Sequence, residues 1–346
     1  MRDILKDLDR WVEVGQPVAI GTVIQTWGSA PRGVGSKMGV SAEGEICGSV
    51  SGGCVEGAVV EAGMVVLDTG VPQLIHFGVA DETAWEVGLA CGGNIDVFIN
   101  RLDPAWYLPL TRAIQQEKAV TSATIIQGEI RQLGQTIILS EDEEVFGTLG
   151  DGLDEATLKI AREALASGKS FRRTIPSVQG ETETDVFFDV ILPSPVLVIV
   201  GGVHISIALA DIAKILGYRT IIVDPRRSFG NQTRFPDVDQ LVQEWPDQAL
   251  SNIGINRTTA VATLTHDPKL DDPALLTALS SQAFYVGALG SKKTQAKRRR
   301  RLIKAGLSKA QVDRLHGPIG LDIQATTPEE IALSIMAEIV AASQAP

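Results

Sequence analysis

The chain has 346 residues, 44% of them hydrophobic, and its 42 acidic and 31 basic side chains give a net charge of -11. That length and apolar content suffice for two cores, and the acidic balance argues against a general binder of nucleic acid or of an anionic membrane. No apolar run approaches the roughly 20 residues of a membrane span. The charged start Met-Arg-Asp-Ile-Leu-Lys-Asp lacks a signal-peptide core, so the cytoplasm is the expected compartment. Three cysteines, at 47, 54 and 91, are too few and odd in number for a disulfide framework and point to reduced thiols.

In chain order, Ile4, Leu5, Leu8, Trp11 and Val12 are spaced for an amphipathic helix. The stretch Gly28-Ser-Ala-Pro-Arg-Gly-Val-Gly-Ser-Lys-Met follows, then Gly48-Ser-Val-Ser-Gly-Gly-Cys54-Val-Glu56. The second loop is rich enough in Gly and Ser to close around an anion or a cofactor. A helix over Val55 to Val66 places Cys54 near its N-terminus, where free N–H groups and the helix dipole favour thiolate. The same turn also suits a small buried Cys with no chemistry. Gly52 and Gly53 are candidate cofactor contacts. Glu56 could accept a proton or support the helix start. Arg32 and Lys37 could hold a phosphate or a ring edge, or be solvated loop charges. Cys54 and Cys91 each adjoin a Gly-Gly pair, and thiolates suit soft metals or persulfide transfer. Neither lies in a CxxC, which disfavours structural zinc, and Cys47 is expected in the core.

The first half carries an internal duplication. Ala19-Ile-Gly-Thr-Val aligns with Ala119-Val-Thr-Ser-Ala, Gly28 with Gly128, and Gly35 with Gly134. Glu45-Ile-Cys-Gly-Ser-Val aligns with Glu144-Val-Phe-Gly-Thr-Leu, and Glu56 with Glu155. Each copy reads as strand, glycine turn, hairpin and helix. Cys54 then faces Leu153 and Cys47 faces Phe146, so any thiol chemistry belongs to the first copy.

Pro193-Ser-Pro195 marks the expected boundary between a domain over 1–192, of α+β class, and one over 193–346. From there strands and helices alternate over 196–200, 205–216, 220–223, 258–265, 273–280 and 283–288. That pattern predicts an α/β domain with a parallel sheet and helices on both faces. Val196-Leu-Val-Ile-Val-Gly201-Gly202-Val203-His204 looks like the first βα turn of a dinucleotide fold, with Asp224 placed to meet a ribose hydroxyl. Val203 breaks the glycine fingerprint and would crowd a pyrophosphate, which makes NAD(P) doubtful. His204, Arg226, His266, Gly287, Gly290 and Ser291 follow strands at the same sheet edge, where open parallel sheets bind ligands. The histidines could bind metal, shuttle protons or only hydrogen-bond. Seven of the ten residues from Lys292 to Arg301 are basic, which suits a solvated helix face or a docking patch for an acidic partner or a phosphate. Thr327-Pro-Glu-Glu330 is a capping box, followed by an apolar stripe at Ile331, Ile335 and Ile339.

Gly28 to Met38, Gly48 to Glu56 and Gly88-Leu-Ala-Cys91-Gly-Gly resemble the N-terminal signature of the XdhC/CoxI family, accessory proteins of molybdenum hydroxylases. Tyr285-Val-Gly-Ala-Leu-Gly-Ser-Lys-Lys, Gly317-Pro-Ile-Gly-Leu-Asp-Ile and Thr327-Pro-Glu-Glu-Ile-Ala resemble its second domain. The resemblance implies a protein that binds the molybdenum cofactor (molybdopterin), supports its sulfuration and delivers it to a xanthine or CO dehydrogenase type of hydroxylase. It implies a cysteine desulfurase-like sulfur donor as a second partner. It carries a cofactor, metal or sulfur-handling role to Cys54, and more weakly to Cys91. Asn94 departs from the acidic residue expected after Cys-Gly-Gly, and Val203 from the Gly of Gly-x-Gly-His. An NAD(P)-dependent oxidoreductase with a redox thiol, or a scaffold that only recruits a sulfurtransferase, are the competing functions. A homodimer is the base-rate expectation.

Overall fold

The computed structural model describes residues 1–30, 32–78, 93–150, 152–176 and 183–343. They form two compact units, Met1–Pro193 and Ser194–Pro346.

The first unit is built twice from one plan. Copy one runs α1 (Leu5–Glu13), β1 (Val18–Trp27), β2 (Lys37–Ser41), β3 (Ile46–Gly48), α2 (Glu56–Thr69), β4 (Gln73–Phe77) and β5 (Asn94–Arg101). Copy two runs α3 (Pro104–Gln115), β6 (Val120–Gln127), β7 (Thr136–Ser140), β8 (Val145–Gly147), α4 (Asp154–Ser167), β9 (Phe171–Pro176) and β10 (Glu183–Ile191). The antiparallel sheets share one order, β3-β2-β1-β5-β4 and β8-β7-β6-β10-β9. Even the defect repeats: β1 bulges between Val23 and Gln25 against β5, and β6 bulges between Ile125 and Gln127 against β10. The bulged Ile24 and Ile126 pack with Phe98 and Phe187 into one buried cluster between the sheets. Residues at matching positions of the two copies thus meet each other, as in a two-fold dimer interface. Burial of each such side chain favours folding by about 1.5–3 kcal/mol.

The duplication is therefore real, with its first strand shifted by two residues. Gly35 N–H donates to the Val23 carbonyl and Gly134 N–H to that of Ile125. Val23 thus corresponds to Ile125, and Ile20 to Ser122. Side chains alternate with a period of two along a strand, so the two-residue error preserves which positions face inward. The β2-β3 and β7-β8 hairpins fall where expected, with Gly39 opposite Cys47 and Ile138 opposite Phe146. The helix starts slip by one, because Val55 precedes α2 and Leu153 precedes α4. Cys54 corresponds to Gly152 rather than to Leu153.

The second unit is a doubly covered parallel sheet. Its strands are β11 (Val196–Val200), β12 (Arg219–Val223), β13 (Gln240–Val242), β14 (Thr259–Thr263), β15 (Tyr285–Ala288) and β16 (Leu315–His316). They lie in the order β13-β12-β11-β14-β15-β16, every pair parallel. The helices are α5 (His204–Ile215), α6 (Pro246–Ile253), α7 (Pro268–Ser280), α8 (Lys292–Lys304), α9 (Lys309–Asp313) and α10 (Pro328–Ser343). One apolar cluster joins Leu209, Ile335 and Ile339 of α5 and α10 to one face of the sheet. Another joins Leu250, Leu275 and Leu302 of α6, α7 and α8 to the opposite face. Central strands buried on both sides explain the runs Val-Leu-Val-Ile-Val and Thr-Ala-Val-Ala-Thr. Helix α7 starts five residues before the expected Pro273, because Asp267 caps it by accepting from Lys269 N–H and Pro268 takes the first turn. Among the described residues no helix is long and apolar enough to cross a membrane.

Candidate functional site

The Ser49–Gly53 loop does enclose an anion, and the anion is the chain's own. Glu56 Oε1 accepts from Ser49 Oγ at 2.6 Å and from the N–H groups of Val50, Ser51 and Gly52 at 3.2, 2.9 and 3.0 Å. Its Oε2 accepts from Ser51 Oγ at 2.5 Å and Gly53 N–H at 2.8 Å. Burial by itself raises the Glu56 pKa, but the hydroxyl and amide donors outweigh it and pull the carboxyl down to about 2. Glu56 is therefore the keystone of the turn, not a proton acceptor at neutral pH. The second copy keeps a reduced version through Asp154, which accepts from Thr148 Oγ1 and Leu149 N–H, each at 2.7 Å. Sequence alignment chose Glu155; the helix start selects its neighbour.

The turn's stability should follow this carboxylate. Its folded pKa lies below the ordinary 4.5, so its contribution is complete above that pH and is lost as pH falls toward about 2. The group is partly exposed, which limits the effect. Glu56→Gln is expected to cost about 1–2 kcal/mol at pH 7 and much less at pH 3, as read by urea unfolding at both values.

Cys54 closes this loop, half-exposed, with its N–H donating to Ser51 Oγ at 3.0 Å. Gly52 and Gly53 both have positive φ and open space around the position of a Cβ. A ligand can approach that surface without meeting a side chain. Cys47 is buried, as expected, and burial pushes its thiol up to about 11. Cys91 lies outside the described residues. Among those described, no group of three or more His, Cys, Asp or Glu converges as a metal site. Arg32 donates through Nε to the Ser49 carbonyl at 3.3 Å, so its half-exposed guanidinium borders the loop. Lys37 is not available to a ligand. It is buried, and its ammonium lies 2.8 Å from Asp189 and 3.2 Å from Thr22 Oγ1, tying copy one to copy two.

In the second unit, the glycine turn after β11 is closed by the chain itself. A Cβ on Gly202 would meet the Phe229 carbonyl at 2.5 Å, so the 226–234 segment occupies the approach a pyrophosphate would need. Arg234 donates to the Gly202 carbonyl, and the Arg226 guanidinium stacks 4.0 Å from the Phe229 ring. Asp224 is fully buried. It accepts from Gly202 N–H at 2.8 Å and from Arg226 Nε at 2.9 Å. Burial opposes its ionisation, but the Arg226 and Gly202 donors hold its carboxyl below the usual range. Asp224 and Arg226 therefore form a structural clasp, and nothing in the turn supports NAD(P). Gly201 is held too closely by Thr265 to carry a side chain.

His204 and His266 are exposed, and His266 has φ 61, a left-handed conformation that few residues other than glycine adopt and that histidine tolerates better than most. A Cβ on Gly287 would strike Ile319 and the Tyr285 hydroxyl, so this glycine serves packing. Ser291 caps α8 by accepting from Thr294 N–H, and Gly290 offers its carbonyl to Gln295. The basic run does not form one patch. Arg298 is buried against Asp271, Arg299 donates to the Val312 and Leu315 carbonyls, and Arg301 pairs with Asp272. The remaining Lys292, Lys293, Lys297 and Arg300 are exposed, and Lys293, Lys297 and Arg300 continue with Lys304, beyond the run, as one helical stripe.

Sequence reasoning passed over His316, at the end of edge strand β16. Its Nδ1 lies 3.1 Å from Glu338, which also accepts from Tyr285 OH at 2.6 Å and Gly320 N–H at 2.7 Å. Its position after a parallel strand was the available signal.

The chain is similar over its length to several known proteins. The XdhC Rossmann domain matches residues 197–339, and the XdhC and CoxI family matches residues 11–78. A probable xanthine dehydrogenase subunit of Bacillus subtilis (strain 168) is 29% identical, over 96% of this chain and 95% of that protein. The molybdenum cofactor insertion chaperone PaoD of Escherichia coli (strain K12) is 26% identical, over 98% of this chain and 87% of its own. A crystal structure described as a xanthine dehydrogenase from Bacillus halodurans shares the fold, with TM-score 0.75 at 24% identity, over 98% of this chain and 95% of that one. The open thiol loop in one copy of a duplicated unit, the parallel second unit and these matches agree: the chain belongs to the XdhC/CoxI family.

Proposed function

We propose that this protein is a maturation factor that receives the molybdenum cofactor as cargo, supports its sulfuration and delivers it to a hydroxylase of the xanthine or CO dehydrogenase type. The observation that carries this function is the asymmetry of the duplicated unit. Copy one presents the half-exposed Cys54 beside two glycines with open faces, whereas copy two has Gly152 at the same place. A soft thiolate suits a soft, sulfur-ligated metal centre or a sulfur atom held as persulfide. The donor set fits the cargo in a specific way. The loop's own N–H groups are spent on Glu56, so an anionic group of the cargo would meet Arg32 instead. The name of the PaoD relative as an insertion chaperone supports the same role. A cysteine desulfurase-like protein is the proposed sulfur donor and the cytoplasm the proposed site of action.

Delivery is tested by adding the purified protein, loaded with cofactor, to an apo-hydroxylase. Wild type is expected to restore hydroxylase activity, and Cys54→Ser to reduce the restored activity at least tenfold. Equal restoration by both proteins would remove Cys54 from the function.

A further inference from the structure

Helix α8 divides its cations in two. The inner ones are taken: Arg298 by Asp271, Arg299 by Asp313 and two carbonyls, and Arg301 by Asp272. Those three carboxylates belong to α7 and α9, the helices that α8 packs against. The outer ones, Lys292, Lys293, Lys297, Arg300 and Lys304, are exposed, and none forms an ion pair or a side-chain hydrogen bond with a described residue. Helix α8 carries no acidic residue of its own.

The outer face works against the helix. Lys292 and Lys293 stand in its first turn, where the positive end of the helix dipole favours carboxylates. Lys293 and Lys297, Lys297 and Arg300, and Arg300 and Lys304 are three or four positions apart, and like charges at those spacings destabilise a helix. All five side chains point away from the core, so neutral residues would serve the fold at least as well. An unopposed row of cations on a chain of net charge -11 therefore has its use outside the fold.

We infer that this face docks an acidic protein surface, one that presents a row of carboxylates. From Lys293 to Lys304 the stripe runs about 16 Å along the helix, the length of one short element on a partner. Ala296 and Ile303 lie on the same stripe, and Ile303 is 50% exposed, so apolar contact sits among the charges as it does in protein interfaces. A nucleic acid or an anionic membrane spreads its charge over a far larger area, most of which would meet the rest of an acidic chain. Helix α8 also has no aromatic side chain on which a base could stack. Charge pairing of this kind speeds encounter, orients the partner and makes association salt-dependent. Which proteins dock here rests on the function proposed above; the face itself does not depend on Cys54.

Surface plasmon resonance with the cofactor-free full chain tests the face against two probes, the apo-hydroxylase and the cysteine desulfurase. At least one is expected to bind, with an association rate that falls at least about tenfold from low to high salt. Lys297→Glu combined with Arg300→Glu is expected to weaken that binding roughly tenfold to a hundredfold. Lys6→Glu combined with Lys169→Glu, an equal charge change on exposed residues of the first unit, is expected to weaken it less than about threefold. Lys293→Glu is expected to weaken binding while raising the melting temperature by roughly 1–3 °C, because it sets a carboxylate at the helix start. Four results would each overturn the face and leave the proposed function standing: unchanged binding in the Lys297, Arg300 variant; equal loss in the two double variants; a lower melting temperature in Lys293→Glu; or tighter binding of wild type to a DNA duplex or to phosphatidylglycerol vesicles than to either protein. Binding to neither probe would overturn the face and the proposed function together.

Discussion

Lys37→Ala is expected to destabilise the first unit by about 3–5 kcal/mol, because it leaves the Asp189 carboxylate buried without its counter-charge. The effect should appear in urea unfolding as a lower midpoint. The double variant Lys37→Met, Asp189→Leu should recover most of the loss, since an apolar pair of similar volume removes both desolvation costs. A loss below about 1 kcal/mol in the single variant would mean that water reaches the pair. Its placement matters for function. Lys37 belongs to the strand that follows the glycine-rich stretch at Gly28, and its ammonium crosses to the last strand of copy two. The ion pair thereby fixes copy one against copy two close to the thiol loop.

Arg298→Ala is expected to cost a similar 3–5 kcal/mol in the second unit. Arg298 is 2% exposed and lies 2.9 Å from Asp271, and it also donates to the Leu289 carbonyl at 3.0 Å and Gln295 Oε1 at 2.8 Å. Through these contacts it organises the loop between β15 and α8. Lys297→Ala and Arg300→Ala, one and two positions away, are exposed and should each change stability by no more than about 0.5 kcal/mol. Thermal unfolding of the three variants separates the two classes. Similar small losses in all three would show that the run is a uniform solvated face. The exposed stripe that remains suits an acidic surface on a partner.

Patterns repeated along the chain were legible in the sequence. Strand and helix alternation gave the parallel sheet, and repeated Gly-turn hairpins gave the duplication. The register of the first repeat strand was not legible, because copy two has a shorter turn before its glycine and the period of two conceals an even shift. Site residues were harder to read, since a charged side chain in a loop looks the same whether it meets a ligand or its own backbone. Glu56, Lys37, Asp224 and Arg226 all proved to be satisfied internally. The closure of the Gly202 turn was half legible: Val203 warned against a dinucleotide, while the covering Phe229 lies too far along the chain to be foreseen.

The proposed function requires that Cys54 hold cargo. The most direct measurement is molybdenum and pterin per chain after anaerobic purification from a host that makes the cofactor, for wild type and Cys54→Ser. Near-stoichiometric molybdenum and pterin in wild type, lost from the variant while its fold and melting temperature are kept, is the predicted result. Equal cofactor in both proteins, or none in either, would contradict it.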